Sequence, residues 1–251
     1  MADNIIHQVI ADSVVMTATP DFAAEASSEL LFGEQVEILE TCEVDDEPWA
    51  RIRSQTDGYE GYVQAGALDD EPSTPSHKVA ALRSFAFCEP DYKSPPLRIL
   101  SFFSPLSVVL EDRGYCLLEQ GGWVFEQHVQ AFESTRTPPI DAALMFLETP
   151  YLWGGRSAAG LDCSALVQLA LLNAGIPCPR DSKDQEKAVG QAIERDQIQR
   201  GDLVFFKGHV GMMVDDHTLI NATARHMKVL IEPLAAVEKA YDGITTIRRV
   251  V

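Results

Sequence analysis

The chain has 251 residues, of which 46% are hydrophobic and 23% charged, enough for two or three ordinary packed domains and unlike a disordered or fibrous chain. The formal net charge of −18 repels nucleic-acid phosphates and anionic membrane surfaces, so neither is expected as a partner. No apolar run reaches the roughly 18 residues that a membrane-spanning helix needs.

The N-terminus lacks a basic region followed by a long apolar stretch, so no secretory leader is expected. Five cysteines, Cys42, Cys88, Cys116, Cys163 and Cys178, are odd in number and widely spaced, with no C-x-x-C pair. That usage argues against a disulfide framework and against a structural zinc site, and suits a reducing cytoplasm.

Residues 33–39 (GEQVEIL) alternate in character, with Val36 and Ile38 on one face, and predict a strand. Residues 49–52 form a second short run, and residues 57–63 (DGYEGYV) join a turn to an aromatic strand. Short strands with polar turns predict a small barrel over residues 1–72. The acidic, Pro- and Ser-containing stretch 69–76 (DDEPSTPS) reads as a linker. A second block, 77–134, repeats this order. Residues 105–111 (PLSVVLE) echo the earlier strand, and 114–118 and 122–125 (GWVF) echo the next two, an internal repeat of roughly 55–60 residues. Residues 135–139 (TRTPP) read as a second linker.

The pattern changes over residues 138–251. Residues 140–147 suit a short helix. Residues 163–174 (CSALVQLALLNA) are apolar on nearly every side and predict a buried helix stopped by Gly175 and Pro177. Residues 203–206, 210–214 and 219–222 predict strands. A buried helix followed by a strand meander predicts an α+β domain.

The chemistry concentrates in residues 150–164, PYLWGGRSAAGLDCS. A glycine-rich loop ends in Asp162, and Cys163 opens the helix. Unpaired N–H groups and the helix dipole at that position favour a thiolate, which predicts a lowered thiol pKa. Gly154, Gly155 and Gly160 would let a substrate backbone approach, and backbone N–H groups there could form an oxyanion hole. A thiol nucleophile needs an imidazole, and His209, between Gly208 and Gly211, is the candidate base. Asn221, 12 residues later, would lie on the adjacent antiparallel strand and orient it, with His226 as the rival for that role. Cys42, Cys88, Cys116 and Cys178 read as structural.

In this order PYLWGG…GLDCS, PRDS, GDLVFF, GHVGM and LINA resemble the NlpC/P60 cysteine peptidases, and the resemblance spans roughly residues 139–251. The two upstream blocks resemble the bacterial SH3 domains that precede the catalytic domain in one branch. The resemblance implies a papain-like catalytic domain, of α+β class, preceded by two small SH3-like β-barrels. It implies a γ-D-glutamyl-L-diamino acid endopeptidase acting on murein peptides with a free N-terminal L-Ala, in cell-wall peptide recycling. Cys163 takes the nucleophile position, His209 the base, and Asn221 the third position, where the branch usually has His. Ala165 stands where the family usually has Gly. Asp162, Ser164 and Ser182 match positions beside the substrate, and Glu34 and Tyr59 match positions that hold the substrate's amine, as a carboxylate and a phenol would. Neither a metal nor an organic cofactor is implied. The two departures keep a binding protein without turnover in view, and another amidase or acyltransferase could use the same core.

Overall fold

The computed structural model describes residues 5–135 and 137–250. The leader expectation rests partly on residues 1–4, and the second linker contains Arg136; both lie outside the described residues. The chain divides into two compact units, residues 1–134 and 135–251.

In the first unit, seven strands form one antiparallel sheet in the order Ala26–Leu31, Ser13–Thr17, Glu60–Gln64, Glu47–Ser54, Gln35–Val44, Ile6–Val9 and Leu68–Asp69. The alternation read around Val36 is real: Val36 is fully buried with Val9, Met16, Ile52 and Val63, and Ile38 packs against that cluster. Register shifts at Met16/Thr17 and Ile38/Glu40 bend the sheet around this core. The second block contributes a five-stranded sheet (Pro96–Ser101, Arg83–Phe87, Trp123–Phe125, Tyr115–Leu118, Val108–Asp112) and a three-stranded one (Pro105–Leu106, His77–Val79, Val129–Ala131).

The expected barrels are therefore not closed. The first sheet ends on two edges, at Ala26–Leu31 and Leu68–Asp69, and the second block is split into two sheets. Proline opens both the Pro96–Ser101 strand and the Pro105–Leu106 strand, each an edge of its sheet, and proline supplies no N–H to a ladder. The stretch read as a solvated linker is partly pinned. Ser73 is buried, and its N–H and hydroxyl both bond to Gln8 Oε1 at 3.0 Å.

The second unit is a six-stranded antiparallel sheet with four helices: α1 (Pro139–Leu144), α2 (Cys163–Asn173), α3 (Ser182–Ala188) and α4 (Leu234–Ala240). Its strands run in the order Gln191–Ala192, Ile244–Arg249, Leu203–Phe206, His209–Met213, Thr218–Thr223 and Lys228–Pro233. Helix α2 packs on α1 and on the strands His209–Met213 and Thr218–Thr223. Ten of its eleven residues are buried, which is why its sequence shows no polar face. Three of the buried side chains are polar, Ser164, Gln168 and Asn173, and Gln168 accepts from Arg156 Nε at 2.8 Å and donates to the Cys178 carbonyl at 3.2 Å. Gly175, at φ +76°, lets the chain leave the helix in the left-handed region.

A two-residue turn places His209. Phe206 pairs with His209 across Lys207 and Gly208, and Gly208 takes φ +71° there. No helix among the described residues is long and apolar enough to cross a membrane.

Leu166 lies on α2 with no exposed surface. Leu166→Ala should destabilise the second unit by about 2–5 kcal/mol, from lost burial plus the cavity left behind. Denaturant unfolding checks this, and a loss below about 0.5 kcal/mol would mean that α2 is not the packed centre described.

Candidate active site

The site is built at the start of α2. Asp162 is its N-cap, and its Oδ1 accepts from the Ala165 N–H at 2.9 Å and the Ser164 hydroxyl at 3.0 Å. Its Oδ2 accepts from the Gly154 N–H at 3.1 Å, tying the glycine-rich loop to the helix. Arg180 grips both oxygens, with Nη1 to Oδ1 at 3.0 Å and Nη2 to Oδ2 at 2.7 Å, and Nη1 also reaches the Ser164 hydroxyl at 2.8 Å. Asp162, Ser164 and Arg180 are all buried, so Cys163 stands on a dry, fully hydrogen-bonded platform. The glycines serve this packing more than substrate access. A Cβ on Gly155 would lie 2.5 Å from the Gly160 carbonyl oxygen, and one on Gly160 would lie 2.7 Å from Leu152 Cβ.

His209 opens its strand and is 3% exposed. The N–H of its neighbour Val210 and that of Ser164 both point at the Cys163 sulfur, which brings the start of this strand to the head of α2. The imidazole Nε2 lies 3.0 Å from Asn221 Oδ1, and the ring stacks on Tyr241 with centroids 4.2 Å apart and planes 4° from parallel. Asn221 in turn donates from Nδ2 to Glu232 Oε2 at 3.2 Å. His226, the rival for the orienting role, holds no contact with His209 of this kind. Its ring is largely exposed, 3.4 Å from Glu232 Oε1.

The lowered thiol pKa read from the helix start is not what the site produces. Burial, helped by the Asp162 carboxylate, pushes the Cys163 thiol up to about 12, against the Val210 N–H, Arg180 and the Ser164 N–H, which pull it down. Desolvation outweighs the helix terminus because the sulfur is enclosed. Burial likewise pushes His209 down to about 4, against the bond to Asn221. Both shifts favour a neutral thiol and a neutral imidazole. The Tyr151 hydroxyl, near Cys163 and Asp162, is held well above its ordinary value by burial and stays protonated.

Ser182 begins α3 and is half-buried. With Lys183, Glu186, Gly208 and Tyr241 it lines a cleft of about 510 Å³ that reaches the His209 side of the site. Glu34 lies in the first unit, on the turn after the Ala26–Leu31 strand. It is 1% exposed and accepts from the Leu31 N–H at 2.8 Å and the Thr56 hydroxyl at 3.2 Å. Tyr59 is half-buried against the Val9–Val63 core of the same unit. Of the remaining cysteines, Cys116 and Cys178 are buried, Cys42 is half-buried and Cys88 is exposed.

Sequence reasoning passed over Arg180, Tyr151, Glu232 and Tyr241. Arg180 carried a signal, a lone cation in an apolar, proline-flanked run (IPCPRDS); Tyr151 stood inside the quoted loop; Glu232 and Tyr241 carried none.

Fold and site together define a papain-like α+β core with a thiol, an imidazole and an amide gathered at the head of one buried helix. Residues 148–245 match the NlpC/P60 family and residues 16–68 match the bacterial dipeptidyl-peptidase SH3 domain. The chain thus carries an NlpC/P60 domain preceded by a bacterial SH3 domain. It is 29% identical to dipeptidyl-peptidase 6 of Lysinibacillus sphaericus over 95% of this chain and 96% of that one. It is 30% identical to a γ-D-glutamyl-L-lysine dipeptidyl-peptidase of Bacillus cereus over 71% of this chain and 60% of that one. A crystal structure of an NlpC/P60 family protein from Bacillus cereus shares the fold with a TM-score of 0.82 at 22% identity, covering 97% of this chain and 99% of that one.

Two outcomes follow from the site's electrostatics. Arg180→Met should destabilise the second unit by about 3–5 kcal/mol, because it strands a buried carboxylate, and calorimetry checks it. For His209, the folded value near 4 lies below the ordinary 6.5, so between them only the unfolded chain holds the proton. Its contribution to stability is complete above about pH 6.5 and falls as pH drops toward 4. The stability difference between wild type and His209→Gln should therefore shift by about 2 kcal/mol against wild type from pH 7 to pH 4.5. A difference independent of pH would mean that His209 is not buried in its neutral form.

Proposed function

We propose that this peptidase hydrolyses the γ-D-Glu–diamino acid bond of murein-derived peptides that carry a free N-terminal L-Ala. The observation that carries the reading is the Cys163 thiol at the head of α2, reached by the N–H of Val210, the residue after His209, whose imidazole is held by Asn221. In this reading residues 138–251 are the catalytic domain, and residues 1–72 and 77–134 are SH3-like domains.

With Nε2 committed to Asn221, His209 offers Nδ1 to the thiol. Nδ1 takes the proton as the sulfur attacks the γ-carbonyl, so the charge pair arises with the attack and is not stored in the empty site. The first-turn N–H groups of α2 and the protonated Tyr151 hydroxyl are donors available to the oxyanion. The imidazolium then gives its proton to the leaving α-amine of the diamino acid, and a thioester remains on Cys163. Water, deprotonated by the same imidazole, releases the dipeptide acid and restores the thiol. Ser182 contacts the substrate from the cleft beside Tyr241. Asp162 and Ser164 position the nucleophile as well as bordering the substrate, since their own polar atoms are already bonded to each other and to Arg180.

Glu34 and Tyr59 are the amine-binding pair, in keeping with the free α-amine that the substrate class carries. The enzyme then trims released peptides and not intact wall, where that amine is amidated. Five free cysteines suit a cytoplasmic site of action.

The test is hydrolysis of L-Ala-γ-D-Glu-diamino acid tripeptide by wild type and Cys163→Ala, read by mass spectrometry. Wild type should release L-Ala-D-Glu, Cys163→Ala should lose at least about 10³-fold of the rate, and N-acetylation of the tripeptide should abolish turnover. Equal rates for the two proteins would remove Cys163 from the reaction. Tight binding without turnover by wild type would make the protein a binder.

A further inference from the structure

The third position of the site is an amide, and an amide can be presented either way round. A carboxylate or an imidazole does not raise that problem in the same form. Asn221 Oδ1 faces His209 Nε2 at 3.0 Å, and nothing in that bond alone decides which end of Asn221 points inward, since a neutral imidazole nitrogen can donate or accept. The other end of Asn221 lies 3.2 Å from Glu232 Oε2, with a longer approach of 3.5 Å to the Leu230 carbonyl. Glu232 is 8% exposed. It sits on the neighbouring strand, Lys228–Pro233, two residues beyond the cross-strand partner of Asn221, and so on the same face of the sheet.

We infer that Glu232 is a positioning residue that sets the protonation of the catalytic imidazole through Asn221. An ionised carboxylate only accepts hydrogen bonds. Glu232 therefore requires the amide's N–H₂ end, which turns Oδ1 toward His209. Oδ1 also only accepts, so it requires a proton on Nε2. One proton remains for the two ring nitrogens, which leaves Nδ1 bare and facing the thiol as a base. Two acceptors in series thus select one tautomer of His209. Arg225 Nη2 donates to the same Glu232 Oε2 at 2.7 Å. His226 Nε2, 3.4 Å from Oε1, is the other titratable group on Glu232. Around His209 itself the charged and titratable neighbours are Arg225, Glu232 and the stacked Tyr241. Arg225 also lies over the Tyr241 ring at 5.6 Å, so one cation braces the carboxylate and the stacking partner together.

The inference rests on the peptidase reading for its consequence in catalysis, but not for its consequence in the ring, so the two can fail separately. The experiment is nuclear magnetic resonance of the imidazole nitrogens and carbons in the full chain at pH 7, on wild type, Glu232→Gln, and Glu232→Gln combined with Asn221→Asp. Tripeptide kinetics are measured on the same samples. Wild type should show His209 protonated at Nε2 alone. Glu232→Gln removes the obligatory acceptor, frees Asn221 to turn, and should give mixed or inverted protonation. Its kcat should fall about tenfold or more, with KM changed less than about twofold. Asn221→Asp in that background has no wrong end to present, so it should restore Nε2 protonation and recover most of kcat. A merely structural role for Glu232 would not produce that recovery.

An unchanged Nε2 signal in Glu232→Gln would overturn the inference whatever the activity. A shifted tautomer that Asn221→Asp does not restore would overturn it as well. Should the ring respond as expected while wild type leaves the tripeptide intact, the positioning stands and it is the substrate assignment that fails.

Discussion

One buried ion pair, Asp162 with Arg180, fixes the head of α2, and every other feature of the site is referred to it. The carboxylate caps the helix, holds the glycine-rich loop through Gly154 and receives both arms of the guanidinium. Arg180 comes from the segment between α2 and α3, so the pair clamps that connection onto the helix start. A buried pair of this kind adds little net stability, but removing one partner is costly. Its return here is positional. It holds Cys163 with its sulfur against the N–H groups of Ser164 and Val210.

The same pair carries a chemical consequence. A carboxylate beside an enclosed sulfur disfavours the thiolate, and the enclosure that dries the site also disfavours the imidazolium. In the proposed reaction the two groups thus start neutral, and their charges appear together when a substrate supplies the electrophile. Such a pair depends on the imidazole presenting its bare nitrogen to sulfur. That in turn depends on the antiparallel register that brings His209, Asn221 and Glu232 into line across three consecutive strands.

Much of this was legible in the sequence where residue type and spacing constrain chemistry locally. The apolar run of α2 read as a buried helix with Cys163 at its start, and a 12-residue step from His209 to Asn221 fits a strand, turn and strand. The alternation around Val36 was equally plain. What was not legible came from tertiary enclosure. Cys163 read as an activated thiolate because a sequence shows the helix terminus but not the desolvation that opposes it. Glu34 read as an amine-binding carboxylate by resemblance, and the sequence did not show that it is also folded back onto Leu31 and Thr56. Tyr241 and Glu232 reach the site from α4's C-terminal end and from an outer strand, and no local pattern marks them. The barrels read from short strands and turns remain open, because local patterning predicts strands but not ladder closure.

The most direct test of a Cys163–His209 nucleophile is affinity labelling of the full chain with L-Ala-γ-D-Glu chloromethyl ketone, an electrophile presented where the scissile carbonyl would lie. Cys88 is the exposed thiol and Cys163 is enclosed, so intrinsic accessibility and directed chemistry give opposite patterns. Peptide mapping should find one label per chain, on Cys163, lost in His209→Gln. Labelling of Cys88 with Cys163 untouched would contradict the account.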